Sequence, residues 1–185
     1  IKSLSEGNVT LVFDFYEGAD CEFLLTVTDT SALEDIDTFE NYTDDSQLRS
    51  AYTPNTNGNN ITVSLVDSTN GKAMRFEYDV SLPNGYSGVN HALSQRNVAQ
   101  YKGVSITLAG DNSGNTFTLQ FKDKNDNYFE KEFAVDFYGE KTIKIPFEEF
   151  NAPSWQSSSA TLDTTGIVQV AFYAGRGGNA DTGAY

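Results

Sequence analysis

Tyr52, Tyr86, Trp155 and Tyr173 are the side chains whose type and setting could do chemistry. That chemistry is stacking on the apolar C–H face of a sugar, with neighbouring amides and charges taking the hydroxyl rim. Each ring lies beside turn-type or glycine-rich sequence. Tyr86 sits in Asn84-Gly85-Tyr86-Ser87-Gly88, Trp155 in Pro153-Ser154-Trp155-Gln156, and Tyr173 precedes Ala174-Gly175-Arg176. For any single tyrosine the competing reading is a cap on the core. Trp155 is the one tryptophan and stands among Ser and Gln, which favours a binding role.

Other chemistries are poorly supplied. His91 is the one histidine and Cys21 the one cysteine, so a zinc site, an intramolecular disulfide and a nucleophilic triad all lack parts. No Gly-x-Ser-x-Gly elbow and no phosphate loop occur. Cys21 lies in an alternating apolar stretch and reads as a small buried hydrophobe. A net charge of -14 would repel nucleic acids and anionic membrane surfaces, leaving neutral polysaccharides and cations as partners. No apolar run reaches membrane-spanning length and no signal peptide is seen. The abrupt opening at Ile1 reads as part of something longer.

The elements that must position these rings are short and β-type. The 185 residues suit one compact domain with a small appendage. Residues 9–15 and 21–28 read as a hairpin. A series of strands follows at 61–66, 73–80, 104–109, 116–122, 128–135, 141–146 and 167–174. Asn57-Gly58, Asn70-Gly71, Asn84-Gly85 and Ser113-Gly114 supply turn residues between them. Short helical segments are expected near 44–49 and 147–150. The pattern predicts an all-β fold, an antiparallel sandwich or barrel.

Strand parity sorts two faces. Phe117, Leu119 and Phe121 alternate with Thr118, Gln120 and Lys122; Val168, Val170 and Phe172 alternate with Gln169, Ala171 and Tyr173. One face is core. The other carries amides, hydroxyls, charges and rings, more than plain solvation needs. Gln120, Lys122, Gln169, Arg176, Tyr128 and His91 are the candidate hydrogen-bonding groups, His91 on a ligand-side strand 87–93 or simply exposed. Glu130 and Glu132 could share that face.

Several stretches, taken in order, carry a resemblance: Ile36-Asp37-Thr38-Phe39-Glu40, Asn70-Gly71-Lys72-Ala73-Met74-Arg75-Phe76-Glu77-Tyr78, Gly85-Tyr86-Ser87-Gly88-Val89, Tyr101-Lys102-Gly103-Val104-Ser105, 141–150 and 167–173. The series resembles the family-11-like carbohydrate-binding modules of bacterial cellulases and related glycan-degrading enzymes, over roughly residues 33–185. The resemblance implies a β-sandwich jelly roll whose concave face binds single β-glucan chains. The family's binding tyrosines match Tyr86 and Tyr173, and more loosely Tyr52; a further family tyrosine falls near Trp155. The family's Arg and Asp contacts in that segment have no clear equivalents, which opens glucomannan, xyloglucan or mannan as ligands beside mixed-linkage glucan and cello-oligosaccharides. Residues 4–28 resemble the last two strands of an immunoglobulin-like cellulase module. The expected division is therefore a preceding module's hairpin at 1–31 and the carbohydrate-binding module at 32–185. The family's closing strand would follow Tyr185, so it is expected to be missing from this sequence.

Asp37, Glu40 and Asp67 offer hard oxygens, and the resemblance implies a structural calcium between the opening acidic segment, the 67–72 loop and an Asp of that closing strand. Residues 123–127 look calcium-like but lack the later Glu of an EF-hand and read as a hairpin turn. Two alternatives stand beside a binding module. One is a jelly-roll glycoside hydrolase with paired carboxylates, for which 35–40 (DIDTFE) superficially resembles a laminarinase-like signature with Asp35 where a Glu should be. The other is a structural or adhesion sandwich. The expectation is a non-catalytic, monomeric module of a secreted bacterial protein, in places attached to the cell surface. It would recognise plant β-glucan and target an attached glycoside hydrolase.

Overall fold

The computed structural model describes residues 34–57, 61–69, 71–82, 85–157, 160–178 and 181–185, together with the backbone of two short strands near the start. The chain divides into two compact units, Ile1–Thr38 and Phe39–Tyr185. In the first, β1 (Lys2–Leu4) pairs antiparallel with β2 (Asn8–Thr10), Ser3 facing Val9. Apart from residues 9 and 10, the expected strands at 9–15 and 21–28 and Cys21 lie outside the described residues.

The second unit opens with a short helix, α1 (Asp45–Ala51), where 44–49 predicted one. Asp44 starts it. Its Oδ1 accepts from the amides of Ser46 and Gln47 at 2.9 and 3.0 Å, satisfying two donors that a helix start leaves orphaned. These donations hold the Asp44 carboxyl below its ordinary range. Leu48 is the buried anchor of this helix. Two polar side chains then dock α1 on the edge of β4 (Ile61–Ser68). Asp45 Oδ1 accepts from the Leu65 amide at 2.8 Å, and Arg49 Nε donates to the Val63 carbonyl at 2.7 Å. The strand edge is thereby covered rather than left open to another chain.

The remaining strands are β3 (Tyr52–Thr56), β5 (Gly71–Asp79), β6 (Tyr86–Arg96), β7 (Gly103–Asp111), β8 (Thr116–Asp123), β9 (Tyr128–Ala134), β10 (Tyr138–Pro146), β11 (Ile167–Gly175) and β12 (Thr182–Ala184), with one 3-10 turn at Phe147–Glu149. A five-stranded antiparallel sheet runs β3-β6-β11-β8-β9. A three-stranded sheet β12-β5-β4 and the pair β10-β7 supply the other strands of a β-sandwich of jelly-roll type. Two strands had weak signals. β3 contains Pro54, which suits its place at a sheet edge because proline cannot donate to a ladder. β12 is three residues long, and Tyr185 extends its pairing, exchanging both backbone hydrogen bonds with Phe76 of β5.

The core lies between the layers. Phe76 and Tyr78 from β5, Phe117, Leu119 and Phe121 from β8, and Val170 and Ala174 from β11 are all buried. The Tyr185 ring meets Tyr78 at 4.8 Å and Phe117, edge-on, at 5.5 Å, so the last residue joins strands of both layers. Each large side chain buried in this way contributes about 1.5–3 kcal/mol. The 123–127 segment is a hairpin turn, as expected. Asp123, itself buried, accepts from the amides of Asn125 and Asn127 at 2.8 and 3.1 Å, and Asp126 takes the left-handed φ of 62° the turn requires.

Candidate functional site

The register of the five-stranded sheet places alternate residues in rows across its outer face. The first row is Tyr86, Gly175, Thr116, Ala134 and the second is Asn55, Gly88, Tyr173, Thr118, Glu132. The third row is Thr53, Asn90, Ala171, Gln120, Glu130 and the fourth is Ala92, Gln169, Lys122, Tyr128. Two aromatic stations therefore occupy opposite corners, with amides, hydroxyls and carboxylates between them. From strand rise and spacing, the backbone positions of Tyr86 and Tyr128 are roughly 25 Å apart along the diagonal.

Tyr173 anchors the first station. From β11 it reaches across β6, where a Cβ on Gly88 would stand 2.0 Å from its Cδ1. Only glycine leaves room for the ring to lie there. Asn55 Nδ2 donates to Tyr173 Oη at 2.9 Å, and Oη donates to Asn90 Oδ1 at 2.9 Å. Burial pushes the phenol up to about 12, with the Asn55 donation opposing it, so the hydroxyl keeps the proton it gives to Asn90. Tyr86 packs edge-on to this ring at 5.8 Å and is itself 38% exposed.

Trp155 and Tyr128 form the second station, their rings edge-to-face at 5.3 Å. Trp155 is 63% exposed and comes from a loop rather than a strand. Gln156 ties that loop down. Its Oε1 accepts from the Tyr128 amide at 2.7 Å and its Nε2 donates to the Tyr128 carbonyl at 3.1 Å, the pairing a further strand would make with β9. Lys122 lies over the Tyr128 ring at 5.2 Å and forms an ion pair with Asp126 at 2.8 Å. The Asp126 contact is the main reason its ammonium is held above its ordinary value.

The floor between the stations is low and polar. Ala171 is buried outright, and Gln120 and Thr118 are nearly so. Gln120 Nε2 donates to Glu130 Oε2 at 2.9 Å, and Thr118 Oγ1 donates to Glu132 Oε1 at 3.5 Å. Burial raises the Glu130 carboxyl above its ordinary range; the Gln120 donation opposes this and the Glu132 charge adds to it.

Of the ten residues expected to bind ligand, Tyr86, Tyr173, Gln120, Lys122, Gln169, Tyr128 and Trp155 are brought to this face or its rim. Three are not. Tyr52 faces the core, 1% exposed, because it lies one residue out of phase with Thr53 and Asn55. His91 shares the Tyr52 side, stacked on that ring at 4.5 Å, and its Nδ1 is 3.0 Å from the Ala51 carbonyl, which can only accept. Arg176 follows Gly175 beyond the first row, at the end of β11, ion-paired with Asp181 at 2.9 Å and donating to the Ser81 carbonyl. Conversely, Asn55, Asn90 and Gly88 went unrecognised. Alternation along 86–92, continued from Tyr86, was the available signal.

Asp37, Glu40 and Asp67 are the residues expected to hold calcium. Among the described residues no group of three or more His, Cys, Asp or Glu is placed to hold a metal ion. Asp37 belongs to the other compact unit. Glu40 Oε1 accepts from the Lys72 amide at 2.6 Å, and Asp67 pairs with Lys72 across the β4–β5 hairpin. The opening segment thus contacts the hairpin turn through a direct hydrogen bond. Residues 35–40, the hydrolase-like stretch, form no strand and present no carboxylate pair from a sheet.

A jelly-roll sheet with two aromatic stations across a polar floor is a geometry for sugars. The sequence model of the carbohydrate binding domain (family 11) matches residues 26–182. The chain belongs to carbohydrate-binding family 11. Among solved structures it is similar to the family 11 carbohydrate-binding module of the cellulosomal cellulase Lic26A-Cel5E of Clostridium thermocellum. That match has 20% identity and a TM-score of 0.62, and covers 82% of this chain and 88% of that one. A structure of an exo-beta-agarase matches more weakly, at 12% identity and a TM-score of 0.43, over 66% of this chain and 21% of that one. No curated protein matches the chain. Membership of family 11 makes the chain a carbohydrate-binding module and points to a non-catalytic role. No helix among the described residues is long and apolar enough to cross a membrane.

Proposed function

We propose that this family 11 module binds single chains of plant β-glucan along the outer face of the five-stranded sheet and keeps an attached glycoside hydrolase near its substrate. The observation that carries the reading is the pairing of Tyr86 and Tyr173 with Tyr128 and Trp155 across a floor of amides, hydroxyls and carboxylates. Rings at both ends stack on sugar faces, and the groups between them meet hydroxyls. Mixed-linkage β-1,3-1,4-glucan and cello-oligosaccharides are the leading ligands, with glucomannan and xyloglucan next. The similar structure is a module of a cellulosomal cellulase, which supports attachment to a hydrolase. Attachment raises the local enzyme concentration even when each site is weak. In this reading the module acts outside a bacterial cell, and residues 1–31 belong to a neighbouring immunoglobulin-like module.

Calorimetric titration against barley mixed-linkage glucan, cellohexaose, glucomannan, xyloglucan and xylan tests the proposal, with reducing ends assayed in parallel. Saturable heat with one β-glucan class and no released sugar supports it. Silence across the panel favours a structural sandwich, and released reducing ends favour a hydrolase.

A further inference from the structure

Resting on the reading just given, we infer that Glu130 and Glu132 make the groove select neutral glycan chains over chains that carry carboxylates. The two glutamates stand at alternate positions of β9, about 7 Å apart along the strand, and both point to the ligand face. Lys122 is the only cation in the four rows, and its charge is engaged by Asp126 at 2.8 Å. The face therefore offers two carboxylates with no free counter-charge among its rows.

Burial sharpens the effect. Glu130 sits beside nearly buried Gln120, where effective dielectric falls and charges act more strongly than in water. Burial is the main reason its carboxyl is displaced upward, with the Gln120 donation opposing and the Glu132 charge adding to it. A neutral sugar hydroxyl donates to such a carboxylate and gains a charge-assisted hydrogen bond. A uronate or carboxymethyl group has no proton to donate at neutral pH and meets like charge instead.

The test uses one backbone with three decorations: barley mixed-linkage glucan, its neutral hydroxyethyl derivative, and its C6-carboxyl derivative. The expected result is that the hydroxyethyl form binds comparably to the parent, whereas the carboxyl form binds at least about tenfold more weakly at low salt. High salt should narrow that gap. The E130Q/E132Q double variant should narrow it too, and E132Q alone, at an exposed position, should narrow it part-way. Glu140→Gln, exposed on β10, removes one charge elsewhere and should leave the gap intact. Equal binding of neutral and carboxyl forms overturns the inference, as does a gap that responds to Glu140→Gln as much as to E132Q. Absence of binding to both neutral glucans overturns the β-glucan reading and this inference with it.

Discussion

Asn90 and His91 are chain neighbours on β6, yet they belong to different parts of the molecule. Asn90 turns outward and holds the Tyr173 hydroxyl, while His91 turns inward and stacks on Tyr52. The same division runs through the whole sheet. Outside, aromatic rings sit beside amides that orient them. Inside, rings sit on rings: Tyr52 also approaches Phe39 at 5.7 Å and Phe172 at 6.2 Å. A tyrosine on this sheet thus faces the candidate site or the core according to whether its position is odd or even in the local register. Its residue type and loop-like surroundings do not decide.

The sharpest way to break that comparison is Tyr52→Ala. Removing a fully buried ring is expected to destabilise the fold by about 3–5 kcal/mol, while protein that remains folded binds glycan normally. A denaturant melt with parallel titration checks it, and a loss of affinity in folded protein would return Tyr52 to the site. Tyr173→Ala should do the reverse, weakening binding by about 1–3 kcal/mol with a smaller loss of stability. The ring is half-buried, so affinity must be read on protein shown to be folded. Trp155→Ala should cost about 1–2 kcal/mol of binding while stability stays within about 0.5 kcal/mol, because the ring is exposed on a loop. Comparing these two separates a ring pinned by Asn55, Asn90 and Gly88 from one held through Gln156.

The smallest effect concerns Glu130. Its carboxyl is raised in the folded state, so the folded protein holds that proton more tightly than the unfolded chain. The associated stability is present below the ordinary carboxylate range and is lost as pH rises through the raised value. Glu130→Gln should flatten that slope in thermal melts across mildly acidic pH. An unchanged slope would assign the pH dependence to other groups.

Much of the fold was legible. Alternating apolar residues at 104–109, 116–122 and 167–174 marked strands because a sheet buried on one face imposes a period of two. The hairpin turn at 123–127 was legible because Asp and Asn satisfy turn amides locally. The helix near 44–49 was legible too, and Asp44 proves to be its cap. β3 was hidden because Pro54 suppresses the strand signal and only an edge position permits it.

What the amino-acid sequence by itself determined is the all-β class, an acidic net charge that disfavours polyanionic partners, and the stock of rings and amides from which a sugar site is built. These follow from local periodicity and total charge, which need no knowledge of neighbours. The tertiary structure alone decided which strands lie side by side and in what register. That set Tyr128 against Trp155, moved Tyr52 into the core with half-buried His91 stacked on it, and gathered Asn55, Asn90 and Gly88 around Tyr173. Residues 55, 88 and 173 become neighbours only through ladder hydrogen bonds between strands far apart in sequence. A one-residue slip in any of those ladders would send each side chain to the opposite face.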